Sequence, residues 1–286
     1  MSLSERLSIC FKDACLMELT ALKPGNVHIF ADGHGMVVQD FVKSAEVASI
    51  PISKAGYSVG ERVLNSVTET WNAVGCNTNL GIILLSAPII EAAFKLNHLD
   101  IRKNLNQVLT ELTVTDSILT YRGIRMASPA GLGESNKQDV NETPSISLLE
   151  AMKISESRDM IAKQYSNCFA DVFDFGLIEY RRYLSKWNKS AWAITKLYLS
   201  YMACFPDTHV TRKLGLDRAL ALQEEAKIHE QVFGQLDNPK IYQSELLAWD
   251  KRLKDEGVNP GTSADLVVAT LLVSNIGMLN NKNDQN

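Results

Sequence analysis

Asn259-Pro260-Gly261-Thr262-Ser263-Ala264-Asp265-Leu266-Val267-Val268-Ala269-Thr270-Leu271-Leu272-Val273-Ser274-Asn275-Ile276-Gly277-Met278-Leu279 is the stretch that decides the fold. Its first seven residues read as a loop entering a helix, with Thr262 and Asp265 at the spacing of a capping box. Leu266 to Leu279 then runs apolar on nearly every side, as a membrane span or a fully buried core helix does. Asn275 interrupts it and it falls short of the roughly 20 residues a bilayer requires, so a core helix is expected. Leu80 to Phe94, with Pro88 and Glu91 inside it, reads the same way.

Core helices need amphipathic neighbours to cover them. Apolar residues at i, i+3, i+4 and i+7 mark such helices over Leu7 to Leu22, Glu61 to Val74, Val114 to Met126, Leu148 to Phe173, Ala191 to Ala203, Asp217 to Phe233 and Ile241 to Leu253. Alternating strand patterns closed by tight turns are nearly absent. Pro24, Pro51, Pro129, Pro144, Pro206, Pro239 and Pro260 fall where helices should begin or end, and Thr143-Pro144 reads as an N-cap followed by a first-turn proline. The prediction is an all-α protein of ten to thirteen helices, with residues 1–280 forming one domain and 281–286 a disordered tail.

The 286 residues, 45% hydrophobic, suffice for a large core. Lys and Arg total 29 against 33 Asp and Glu, and a net charge of −4 offers no global field for nucleic acid. Cys10, Cys15, Cys76, Cys168 and Cys204 are odd in number and lack C-x-x-C spacing, which fits reduced thiols in a cytoplasmic protein rather than disulfides or a zinc site. Charges at Glu5, Arg6, Lys12 and Asp13 break the apolar run a signal peptide needs. No membrane association is expected, while apolar helices leave a homodimer open.

Two long polar stretches, Lys23 to Gln39 and Ser128 to Thr143, are where a helical protein would build a site. Four loop-to-helix junctions stand out: Lys23-Pro24-Gly25-Asn26 after a helix carrying Glu18; Asn77-Thr78-Asn79-Leu80-Gly81; Phe205-Pro206-Asp207-Thr208-His209 with Arg212 and Lys213; and Asn259 to Asp265. Each offers backbone N–H groups at a helix start, where phosphate oxygens bind well. Lys23, Arg212 and Lys213 can neutralise a polyphosphate, and Asp207, Asp265, Glu18 and Asp139 can hold Mg²⁺. The bland readings stand beside these. Asn, Thr and Ser are ordinary caps, Asp265 suits a capping box, and Arg212 with Lys213 suits a solvated face. His28, His34 and His209 form no H-x-x-x-H pair. The P-loop, the dinucleotide-binding turn and the hydrolase elbow are all missing.

Taken in order, these junctions resemble the triphosphoribosyl-dephospho-CoA synthase family. That family's pattern has a glutamate before Lys-Pro-Gly, Gly-x-His-x-Asp-Met before Phe and Ser-Ala, Asn-Thr-His-Lys-Gly, a Gly-rich loop, Asp-Thr near a basic pair, and Asn-Pro-Gly-Gly-Ser-Ala-Asp-Leu. The counterparts here are Glu18, Lys23-Pro24-Gly25, His34-Gly35-Met36, Phe41, Ser44-Ala45, Asn77 to Gly81, Gly131-Leu132-Gly133, Asp207-Thr208 with Arg212-Lys213, and Asn259 to Leu266. The resemblance implies an all-helical transferase that takes ATP as ribosyl donor, releases adenine and joins the triphosphoribosyl group to dephospho-CoA. It implies Asp207, Asp265 and Glu18 as catalytic carboxylates and Asp207, Asp265 and Asp139 on Mg²⁺. It further implies Lys23, Gly25, His34, Asn77, Thr78, Gly81, Gly131, Gly133, Arg212, Lys213, Asn259, Gly261 and Ser263 around the nucleotide.

The chain departs from that pattern twice. Asn79-Leu80 stands where the family has His-Lys, removing a cation, and Gly35 stands where it has Asp, with Asp32 and Asp40 nearby. Asn-Thr-Asn-Leu-Gly and the run Tyr165 to Phe173 look closer to an archaeal and methylotroph subgroup, which implies a role near tetrahydromethanopterin-type C1-cofactor synthesis and a pterin-type acceptor or another phosphoribosyl donor. A Mg²⁺-dependent phosphohydrolase or kinase-like enzyme, or an inactive nucleotide-binding protein, remains the alternative.

Overall fold

In the computed structural model, which describes residues 1–95, 100–128 and 140–283 (backbone alone from 280), the described residues form helices and no strand. The helices, in order, are α1 (Leu3–Leu19), α2 (Val38–Ile52), α3 (Val59–Val74), α4 (Leu80–Phe94), α5 (Ile101–Thr110), α6 (Val114–Ala127) and α7 (Leu148–Ser155). They continue with α8 (Met160–Ser166), α9 (Leu177–Trp187), α10 (Ser190–Cys204), α11 (Thr208–Leu214), α12 (Leu216–Gln235), α13 (Gln243–Asp255) and α14 (Gly261–Asn283). Fourteen α-helices among the described residues stand beside the ten to thirteen expected, and the fold class is all-α as predicted.

Helices α4 and α14 are the centre. Every residue of α4 except Gly81, Glu91 and Phe94 is buried, and α14 packs against α1, α4, α10 and α9. Gly261–Leu279 is long and apolar enough to cross a membrane by length and composition, but 67% of its most apolar window is buried by these neighbours. The helix runs on to Asn283, into the stretch assigned to the tail. Many outer helices start on capping boxes, in which a hydroxyl and a carboxylate satisfy backbone N–H groups reciprocally: Ser2 with Glu5, Ser58 with Glu61, Thr113 with Asp116, and Ser147 with Glu150.

Three local expectations need correction. Leu148 to Phe173 is not one helix: α7 ends at Ser155, and Asp159 accepts hydrogen bonds from Ile161 and Ala162 N–H to start α8. A wide π-turn then spans Asp171–Gly176 after Cys168 and Phe169, both with positive φ. Periodicity alone could not see this break, because the apolar spacing stays nearly in phase across it. Thr143-Pro144 starts no helix; Ser147, four residues on, is the cap. Thr262 and Asp265 do not form a capping box either. Thr262 lies inside the first turn, and its hydroxyl accepts from His209 N–H at the start of α11 (3.1 Å).

Candidate active site

The four sequence junctions converge on one cavity of about 170 Å³. Its lining draws Glu18 from α1, Asn26 from the following loop, Asn77 to Gly81 from the start of α4, His209 and Arg212 from α11, and Asn259, Gly261 and Asp265 from the start of α14. Asp159, Ile161, Met36 and Phe41 complete much of the wall.

Two close approaches fix these junctions to one another. Gly25 has φ +84° and lies so near the Val258 to Pro260 loop that a Cβ there would sit 2.9 Å from Pro260 Cδ. Only glycine supplies both the left-handed turn and the space. Gly81 lies against Asp265, where a Cβ would fall 2.0 Å from a carboxylate oxygen. The glycine of the α4 junction is thus the seat on which the α14 carboxylate rests.

A buried chain of polar groups runs from α1 to α14. The Lys23 ammonium pairs with Glu18 and donates to Asn26 Oδ1 (2.8 Å), whose amide donates to Asn259 Oδ1 (2.8 Å). Burial pushes the Lys23 ammonium down and the Glu18 carboxyl up, and each charge holds the other against that drift. Lys23 is 1% exposed and outside the cavity lining. It braces Glu18 and Asn26 from behind the cavity wall.

Asp207 is likewise engaged by protein groups. One carboxylate oxygen caps α11 by accepting from His209 and Val210 N–H (2.9 and 3.1 Å), and the other accepts from Ser263 N–H and Oγ–H (both 2.8 Å). With four donors and no place on the cavity wall, Asp207 joins α11 to α14. Ser263 is consumed in the same joint. Gly25 N–H is taken by Asp250 (2.8 Å), and His34, at φ +58°, donates from Nε2 to the Gly25 carbonyl (2.7 Å). Both support the loop from behind. Lys213 is exposed beside them. Gly131, Gly133 and Asp139 lie outside the described residues.

Asp265 is the exception. It lines the cavity, and among the described residues no hydrogen-bond donor reaches its carboxylate. Burial first, then the charges of Asp207 and Glu18, raise its carboxyl well above the usual carboxylate range. Arg212 is the cation on the wall, paired with Asp159 at 2.8 Å. Burial chiefly, helped by Arg212 and Lys213 and opposed by the charge of Asp207, lowers the pKa of the His209 imidazole. Asn77 accepts from Leu80 N–H (3.2 Å), and Thr78 shares a hydrogen bond with Ser44 (2.6 Å).

Asp159, Asn26 and His209 were absent from the predicted site. The polar run Ser155-Glu156-Ser157-Arg158-Asp159, ending on a cap residue, was the available signal for the first. Asn26 and His209 stood within the quoted junctions.

The sequence model of the ATP:dephospho-CoA triphosphoribosyl transferase family matches residues 4–284. The chain belongs to that family. It is an enzyme of the pentosyltransferase type. A solved structure from Archaeoglobus fulgidus, provisionally named a triphosphoribosyl-dephospho-CoA synthase, is similar at 26% identity and a TM-score of 0.63, covering 83% of this chain and 98% of that one. A comparison with curated proteins gives no match. These findings carry the family and the transferase class, and they do not speak for a C1-cofactor role.

Proposed function

We propose that this transferase moves the triphosphoribosyl group of ATP onto a hydroxyl of dephospho-CoA at the cavity around Asp265. The observation that carries the reading is a carboxylate of raised basicity, without a hydrogen-bond partner, on a wall built from every junction of the motif set within the described residues. In the reaction the bond between the ribose anomeric carbon and adenine breaks with its electrons passing to adenine. The acceptor oxygen bonds to that carbon, and the hydroxyl proton balances the charge of the departing base. The positive sugar of the transition state is stabilised by nearby carboxylates. A carboxylate of raised basicity takes the acceptor proton more readily than an ordinary one, and Asp265 fits that role.

Arg212 is the group on the wall that can meet a phosphate, exchanging Asp159 for it. The described residues hold no cage of three or more His, Cys, Asp or Glu for a metal. Mg²⁺ needs only one or two carboxylates with phosphate oxygens, and Glu18, on the same wall, would supply one without engaging Asp265. Such an ion would supply neutralisation of the triphosphate.

Mass spectrometry of reactions containing ATP, Mg²⁺ and dephospho-CoA tests the reading, with pterin acceptors and phosphoribosyl pyrophosphate in parallel. Free adenine with the dephospho-CoA adduct is expected. Inorganic phosphate without adenine would replace the reading with a phosphohydrolase, and product in a pterin reaction alone would move the acceptor.

A further inference from the structure

The cavity lining carries two chemistries. Asp265, Arg212, His209, Asn259 and the Asn77 to Asn79 turn are polar, and Met36, Phe41, Leu80, Ile124 and Ile161 among the remaining residues add apolar surface. Phe41 is partly exposed, and its ring takes part in none of the ring or cation contacts among the described residues. An unpartnered aromatic face beside a polar centre suits a flat ring joined to a sugar, because the ring's faces are apolar while the attached ribose and phosphates are not.

Leu80 is held at the start of α4 by the Asn77 cap on its N–H (3.2 Å), and Ile161 packs within reach of Gly81 at the start of α8. The apolar wall therefore rests on the same elements that position Asp265. The polar side chains next to it already engage protein: Thr78 with Ser44 (2.6 Å) and the Asn79 amide with Thr70 (3.2 Å). This part of the cavity offers contact area more than hydrogen bonds.

We infer that the wall formed by Met36, Phe41, Leu80, Ile124 and Ile161 seats a purine base, with Phe41 as its stacking face. The inference rests on the proposed reaction for the identity of the base, since ATP and dephospho-CoA both carry adenine. Stacking on an aromatic side chain tolerates either source.

Binding of free adenine, followed by titration calorimetry, tests the seat without turnover. Phe41→Ala should weaken it about ten-fold and Phe41→Tyr should preserve it. In the transferase assay Phe41→Ala should raise one KM by a similar factor with kcat little changed. A rise for ATP assigns the donor's base to the wall, and a rise for dephospho-CoA assigns the acceptor's. Adenine binding equal to wild type in Phe41→Ala, or equally lost in Phe41→Tyr, overturns the inference. If the wild-type protein binds adenine with this Phe41 dependence yet forms no adduct, the seat stands and the proposed reaction falls.

Discussion

Burial, and then the neighbouring charges of Asp207 and Glu18, keep the Asp265 carboxyl well above the range of an exposed carboxylate, so the folded protein holds that proton more tightly than the unfolded chain. The stability linked to this proton is fully present below the unfolded value and is lost as pH rises through the folded one. Asp265→Asn removes that loss. Thermal melts with a chelator present should show wild type losing stability relative to Asp265→Asn as pH rises above about 4, the ordinary carboxylate value; parallel curves would contradict the assignment. Gly81 makes a second claim at this scale. A methyl group there collides with the carboxylate and displaces it, and misplacement by an ångström costs on the order of 100-fold in turnover. Gly81→Ala should show that loss in kcat with its helical circular dichroism spectrum retained, and near-normal kcat would show that Asp265 is not held for catalysis. Both residues were legible in the sequence because each sits in a short motif at a helix start. The burial of Lys23 was not legible for the opposite reason: a lysine after a helix looks solvated until the tertiary packing that covers it is known.

Among the elements, the joint between α11 and α14 carries the most specific prediction. Asp207 gives one oxygen to the start of α11 and the other to Ser263 in the first turn of α14. Asp207→Ala removes four hydrogen bonds to a charged acceptor and should lower the unfolding free energy by about 3 kcal/mol in a denaturant titration. A loss under about 1 kcal/mol would mean the joint is redundant. The capping boxes at Ser58 and Thr113 show why helix starts are readable locally, since their partners lie three residues away. The division between α7 and α8 was not readable from the apolar periodicity that marked Leu148 to Phe173. What decides it is the Asp159 cap with its Arg212 partner 53 residues away.

At the scale of the molecule, the architecture follows from two apolar helices that require covering on all sides, and this much was explicit in Leu80 to Phe94 and Leu266 to Leu279. Which ends of those helices meet was not explicit, because it depends on fits such as Gly25 against Pro260 and Gly81 against Asp265. The order of the motifs pointed to one family, and the match over residues 4–284 establishes membership. The assembled cavity then sorts the candidates. Asp265, Arg212, Asn77, Thr78, Gly81, Asn259 and Gly261 face it together with Glu18, while Lys23, Gly25, His34, Asp207 and Ser263 hold those groups from behind. The role proposed for Asp265 is to drive the transfer in this cavity. The direct measurement compares wild type with Asp265→Asn for adenine release and adduct formation from ATP and dephospho-CoA. Equal amounts of both products are expected from wild type and neither from the folded variant; wild-type rates from Asp265→Asn would contradict that role.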